Sequence, residues 1–320
     1  MAEFETYLQG VKTAAIAGHV NPDGDCIGSC MGMYQYLKDN YPAIRATVYL
    51  EPYREVFSFL PGIDQAKAVC DPAEPVDLLI LLDISSKERI GVAGGLLGTA
   101  AKTLCFDHHV TNPGGFTWFF NEPRNSSACE VVYGHLDPEK ISETCAAALY
   151  MGIVHDTGVF QYSSTSPETM RVAASLMEKG IPYSKIIDET FYQKTYGQNR
   201  IMGKVLLESR RVLDDRVIIG CAAEEDLKQF RVEAKDMDGI VSELRNTIGV
   251  EVAVFLYEKK AGEFKVSLRS REHVDVSRVA QKFGGGGHIR AAGCNLQGTA
   301  EEVTSRIVEE LTVLFAKGAV

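Results

Sequence analysis

The feature that most constrains this chain is a repeated alternation of strand-sized apolar runs with helical stretches across its first half. Residues 13–18, 46–50, 78–83 and 103–106 read as strands, and residues 26–38, 126–135 and 143–154 read as helices. Strands alternating with helices build βαβ units and hence a mostly parallel sheet. The runs are apolar throughout, as in LLILL at 78–82, which is the pattern of strands covered on both faces. The expected fold class is α/β, with an N-terminal domain whose mostly parallel sheet is flanked by helices.

Residues 167–180 read as a further helix, ending at Gly180 with Pro182 just beyond. Residues 183–211 have the look of two more helical stretches, and a helical linker is placed at 186–210. The composition then shifts. Residues 212–221, 250–257 and 265–269 read as strands, and 227–230, 237–246, 276–283 and 300–315 as helices. A length of 320 residues suits two cores better than one. The expected division is 1–185, a catalytic metal-binding domain; 186–210, the linker; and 211–320, a smaller α/β domain that binds substrate.

Four segments carry unusual chemistry, and each follows an expected strand or ends an expected helix. They are His19-Val-Asn-Pro-Asp23-Gly-Asp25, Asp83, Asp107-His108-His109, and Asp156. Ligands of open α/β sheets bind outside the carboxyl ends of the strands. Three strands therefore deliver carboxylates or imidazoles to one rim. Each segment alone has a plain structural reading: a turn for NPDGD, a cap or turn residue for Asp83, a satisfied polar strand end for the histidine pair. Their joint occurrence in this order points to a site. His135 is read as complementing the end of its own helix. His155 is left out of the ligand set, because on a helix it points about 100° away from Asp156.

Crowded carboxylates are costly unless cations neutralise them. Mixed Asp and His donors without thiolate suit Mn²⁺ better than Ca²⁺ or a structural Zn²⁺. Six such side chains exceed the needs of one open catalytic site and suit a pair of ions roughly 3.5–4 Å apart, which would clamp a phosphate and activate a water.

Charge narrows the substrate. A net charge of −10 and a pI near 5.3 argue against tracking a long duplex. A small anion remains compatible, because metals and a few arginines supply positive charge locally. No apolar run approaches the roughly 18–20 residues of a membrane span. The stretch MAEFETYLQG has no signal-peptide pattern, and the eight cysteines form no CxxC pair. Reduced thiols and a cytoplasmic location are expected.

In the second half, Gly284-Gly285-Gly286-Gly287-His288-Ile-Arg290 is the sharpest motif. Consecutive glycines let a backbone approach a ligand and turn its N–H groups toward an anion. Upstream, Arg269 and Arg271 supply guanidiniums matched to phosphate geometry. No GK[ST] follows the glycines, and they follow a helix, so neither a Walker loop nor a dinucleotide fingerprint fits.

The segments HVNPDGDCIGS, LLILLDIS, FDHHVTN and HDTGVFQYS resemble the motifs of the DHH phosphoesterase family, and SLRSR with GGGGHIRAAG resembles its DHHA1 domain. The resemblance covers nearly the whole chain. It is nearest to the stand-alone subgroup that includes nanoRNase and pAp phosphatase enzymes. That resemblance implies one Mn²⁺ held by His19, Asp23 and Asp83 and a second held by Asp25, Asp83, His108 and Asp156. It implies His109 facing the substrate phosphate and Asp107 orienting the imidazoles. Arg269, Arg271, Gly285, Gly286, Gly287 and His288 would bind substrate.

The expected activity is metal-assisted hydrolysis of short single-stranded RNA and of 3′-phosphoadenosine-5′-phosphate, with Asp83, Asp107 and His109 as catalytic residues. A cyclic-dinucleotide phosphodiesterase is the nearest alternative, and a non-catalytic nucleotide sensor the alternative of another class. A homodimer is compatible. Long duplexes and membranes are not expected partners.

Overall fold

A computed structural model of the chain describes residues 3–316. It forms two compact units that divide between Gln193 and Lys194.

The first unit is built on five strands: β1 (Thr13–Ala17), β2 (Arg45–Tyr49), β3 (Leu78–Leu82), β4 (Lys102–Asp107) and β5 (Trp118–Asn121). They run in the order β2-β1-β3-β4-β5, and every pair is parallel. Both faces are covered, so alternate residues of one strand feed different cores. Leu78, Ile80 and Leu82 join the large cluster under the helices Gly24–Asn40 and Glu143–Asp156. Leu79 and Leu81 join a smaller cluster with Ile84, Ile90 and Leu96 on the opposite face. That is why LLILL carries no polar alternation. β5 escapes the sequence reading because WFFN is four residues long and only half buried.

The two long helices approach closely because glycines lie at the crossing. A methyl group at Gly28 would sit 2.6 Å from the Ala148 carbonyl oxygen, and one at Gly152 would collide with Cys129 Sγ. This contact brings the start of Gly24–Asn40, which holds Asp25, to the end of Glu143–Asp156.

The second unit has six strands: β6 (Arg210–Val212), β7 (Val217–Ala222), β8 (Val252–Lys260), β9 (Glu263–Ser270), β10 (Gly286–His288) and β11 (Ala291–Gln297). Their order is β10-β11-β9-β8-β7-β6, antiparallel except for β7 with β8. The expected single strand over 212–221 is two strands joined by a turn, with Leu213, Asp214 and Asp215 in left-handed backbone. The stretch expected as a linker, 186–210, is shared between the units. Ile186 packs into the first core, whereas Ile201 and Val205 of the helix Tyr196–Leu207 pack into the second. The i, i+4 spacing of Ile201 and Val205 gives that helix an apolar face, so it docks and does not span. No helix among the described residues is long and apolar enough to cross a membrane.

Candidate active site

The strand order β2-β1-β3-β4-β5 reverses direction between β1 and β3, and ligands of such sheets bind beyond the strand ends at that switch point. His19 follows β1, Asp83 follows β3, Asp107 ends β4, and His108 and His109 follow it. Asp25 lies in the first turn of Gly24–Asn40, and Asp156 is the last residue of Glu143–Asp156. The eight residues His19, Asp23, Asp25, Asp83, Asp107, His108, His109 and Asp156 form one continuous network of contacts.

Asp83 is the centre of that network. It is 2% exposed and takes a left-handed φ of 55°, a conformation Asp tolerates better than most residues. Its Oδ2 lies 3.4 Å from His19 Nε2, while its Oδ1 lies 3.6 Å from His108 Nε2. The two oxygens thus face different imidazoles. His19 Nε2 also faces Asp23 Oδ1 at 3.6 Å, and its Nδ1 donates to the Val20 carbonyl at 2.8 Å. That bond leaves Nε2 as the donor atom. His108 Nε2 lies 3.9 Å from Asp25 Oδ2 and 3.6 Å from Asp156 Oδ2.

Among the described residues, three groups of donor atoms are close enough to hold a metal ion: His19, Asp23 and Asp83; Asp25, His108 and Asp156; and Asp83, His108 and His109. Within the third, His109 Nδ1 is 3.6 Å from Asp83 but is committed to Asp107 Oδ1 at 2.8 Å. The donor chemistry fits a hard or borderline divalent ion, since only oxygen and imidazole nitrogen take part. Asp83 Oδ1 is buried with no hydrogen-bond partner among the described residues, which a cation would relieve.

The electrostatics point the same way. Burial, and then the neighbouring negative charges, push Asp25 up to about 7 and Asp156 up to about 8. Burial opposes the charging of His19 and His108, but the carboxylates that face them, Asp23 and Asp83 for His19 and Asp83, Asp25 and Asp156 for His108, outweigh it and raise them to about 12 and about 10. Burial also works to raise Asp83, yet the two imidazoles hold it well below the carboxylate range. Crowding of buried acids around two imidazoles favours protonation here, and a bound cation would relieve the same crowding.

Several supporting residues were not read from the sequence. Asp25 Oδ2 accepts from Ala128 N at 2.6 Å and Oδ1 from Cys129 N at 3.0 Å, at the start of the helix Ala128–His135. Ser127 caps that helix, and buried Glu130 accepts from Ser126 and from Thr169 Oγ1. The Ser127-x-x-Glu130 spacing marks a helix start, but nothing local says that its N–H groups hold Asp25. The exposed Arg89 brings Nη2 within 3.5 Å of His19 Nδ1. Beyond Asp156, Gly158, Val159 and Phe160 all have positive φ, a strained turn for a β-branched residue. Thr157 Oγ1 holds it by accepting from Phe160 N at 2.9 Å.

His155 lies outside the donor groups. Its Nε2 meets Thr190 Oγ1 at 2.9 Å, it packs edge-on against Phe57 and Phe191, and burial, then Arg54, pushes it down to about 4. His135 faces Glu122 Oε1 at 3.1 Å and packs on Phe120.

In the second unit, strand register aligns His288 with Ala291 and Ala291 with Arg269. His288 and Arg269 therefore share one row across the sheet. The glycine run differs from the expected loop of free donors. Gly284 N and Gly285 N donate back to Gln281 and Ala280 at the end of the helix Val276–Lys282, and Gly286 and Gly287 belong to the edge strand β10. Gly287 has a φ of 144°, and a side chain there would collide with the Ala291 carbonyl. Arg290 is engaged with the carbonyls of Glu272 and Val274, and Arg271 Nη2 with the Arg245 carbonyl at 3.3 Å.

Comparison with known proteins identifies the family. Residues 13–153 match the DHH family, N-terminal domain, and residues 214–317 match the DHHA1 domain. The chain is 32% identical over 308 residues to the bifunctional oligoribonuclease and PAP phosphatase NrnA of Thermus thermophilus, covering 93% of this chain and 90% of that protein. It is 26% identical over 309 residues to the protein of the same name from Bacillus subtilis, covering 94% of each. The crystal structure of an exopolyphosphatase-related protein from Bacteroides fragilis superposes with a TM-score of 0.90 at 25% identity, covering 97% of this chain and 94% of that one. With both domains matched in order, and a relative above 30% identity matched along nearly its whole length, the chain belongs to the DHH family of phosphoesterases.

Proposed function

We propose that this phosphoesterase hydrolyses short single-stranded oligoribonucleotides and 3′-phosphoadenosine-5′-phosphate, with two Mn²⁺ ions. One observation carries the two-ion reading above all: the buried Asp83 carboxylate turns its two oxygens toward different imidazoles, so one residue serves two donor groups. The substrate class is supported by the names of the relatives from Thermus thermophilus and Bacillus subtilis.

In this reading His19, Asp23 and Asp83 hold one ion, and Asp25, Asp83, His108 and Asp156 hold the other. When bound, the ions supply Lewis acidity to phosphoryl oxygens and acidify a water. The chain's own groups do the rest. Asp107 accepts from Nδ1 of His109, and with both ring nitrogens protonated Nε2 is left to donate to a phosphoryl oxygen, where charge develops. The N–H groups of Ala128 and Cys129 hold Asp25 in one orientation. Arg269, Arg271 and His288 of the second unit bind a phosphate or base of the substrate, and the small Gly285, Gly286 and Gly287 let it approach the backbone.

The test is hydrolysis by chelated protein, with and without added Mn²⁺, of a ladder of single-stranded RNAs, of 3′-phosphoadenosine-5′-phosphate and of cyclic dinucleotides. Rate is expected to peak at about two to five nucleotides and to fall with length, because an acidic chain neutralises few phosphates. Equal rates on a dimer and on a strand of about twenty nucleotides would sink the short-substrate reading. Turnover confined to cyclic dinucleotides would make it a cyclic-dinucleotide phosphodiesterase. Nucleotide binding without turnover in Mn²⁺ would make it a sensor.

A further inference from the structure

Asn112 lies four residues beyond His108, is 7% exposed, and belongs to none of the donor groups. Its amide is fully used. Nδ2 donates to Asp107 Oδ2 at 2.6 Å and to the Ile84 carbonyl at 2.6 Å, while Oδ1 accepts from Gly114 N at 2.9 Å. The two oxygen partners of Nδ2 can only accept, Cys105 Sγ lies farther off at 3.9 Å, and the partner of Oδ1 can only donate, so the amide has one workable orientation. On the other side of Asp107, Oδ1 accepts from His108 N at 2.8 Å and from His109 Nδ1 at 2.8 Å.

An unbroken chain of hydrogen bonds therefore runs from the Ile84 carbonyl through Asn112 and Asp107 to the His109 ring. Its first member is the residue after Asp83, whose own N–H donates to the Phe106 carbonyl at 3.1 Å. Held at one oxygen only, a carboxylate can swing about its side-chain torsion. Held at both, its plane is set, and so is the plane of the imidazole bonded to it.

We propose that Asn112 is a positioning residue: by gripping Asp107 and the Ile84 carbonyl together, it sets the His109 imidazole relative to the Asp83 carboxylate. This rests on the substrate-facing role given to His109 above. Asn suits the position because one short side chain supplies two donors from a single nitrogen. Asp would supply none and would bring a second carboxylate to Asp107, and Gln would be a methylene too long.

The experiment is a double-mutant cycle on the Mn²⁺-loaded protein with a dinucleotide substrate, measuring kcat, KM and bound metal for Asn112→Ala, His109→Ala and the double variant. Asn112→Ala is expected to lower kcat by about 10- to 100-fold, the usual cost of losing a supporting partner, while metal content and KM stay near wild type. In the His109→Ala background the same change should alter kcat by less than about twofold, because the group it positions is gone. Additive losses, loss of metal on Asn112→Ala, or an unchanged kcat would each overturn the proposal. If Asn112→Ala does not fold, Asn112→Ser, which keeps one donor, is read in the same cycle. Should His109→Ala itself leave kcat intact, the functional reading fails first, and the cycle shows this separately.

Discussion

The two units place their charged groups in opposite ways. In the first, a parallel sheet sends every loop that follows a strand to one rim, and the acids and imidazoles there are buried or half-buried except for Asp23, held by backbone and by each other. In the second, a mostly antiparallel sheet carries its His and Arg groups on or near an edge strand, with His288 and Arg271 exposed and Arg269 half-buried. Buried charges of like sign demand a cation and a fixed geometry. Exposed cations accept an anion without prior organisation. The proposed function gives chemistry to the first unit and capture to the second, and the contrast can be tested from either side.

The largest effect is expected at Asp83. Asp83→Asn removes the carboxylate that both donor groups face, and activity on every substrate should fall by more than about 100-fold, since losing even an outer partner of a ligand costs 10–100-fold. Metal analysis should find the variant depleted. Full activity with full metal content would break the shared-ligand reading.

Arg269→Ala and His288→Ala should each lower kcat/KM by about tenfold to a hundredfold, the scale of one charge-assisted hydrogen bond. Both variants should keep their metal. A metal-free variant of either would end the division of labour between the units.

The two crowded glycines sharpen the same contrast. Gly152→Ala forces a methyl group toward Cys129 Sγ and to 3.1 Å from Asp25 Oδ1. It should destabilise by about 1–3 kcal/mol, as overpacking does, and weaken metal binding. Gly287→Ala meets the Ala291 carbonyl in the hairpin and should raise KM with metal binding unchanged. Thermal melts with and without Mn²⁺ compare the two; equal effects on metal affinity would erase the distinction.

The smallest expected effect is a pH dependence confined to the first unit. In the ion-free protein Asp25 and Asp156 are raised to about 7 and about 8, and His108 and His19 to about 10 and about 12. The folded state therefore holds more protons than the unfolded one from about pH 4 to 8 through the acids, and from about 6.5 to beyond 10 through the histidines. Stability of the chelated protein should fall as pH rises through these windows. Ligation needs the unprotonated donors, so the rise in Tm on adding Mn²⁺ should grow with pH. Melts at about pH 6 and pH 9 check the sign, and a Tm increment that shrinks with pH would contradict it.

Much of the first unit was legible. LLILLD announced a buried strand ending in an acid, and FDHH a second, because strand period and apolar run length are local properties. The helices Gly24–Asn40 and Glu143–Asp156, and Ala300–Ala316 in the second unit, lie within a few residues of their expected bounds. The second unit was less legible. Strand β10, Gly286–His288, has no apolar alternation to announce it and pairs only with β11, whose own short alternation of Ala292, Cys294 and Leu296 was not read from the sequence.

By itself the sequence determined the alternation that makes the sheet parallel, and the placing of Asp and His at strand ends. Both follow from which side chains can be buried and where a chain must turn. Only the tertiary structure decided that Asp83 divides its oxygens between His19 and His108, that a helix start 103 residues away clamps Asp25, and that Asn112 ties Asp107 to Ile84. Those partners lie far apart in the chain or on different strands. Their distances depend on strand register and on how closely glycines let two helices pack, which no local pattern of residues encodes.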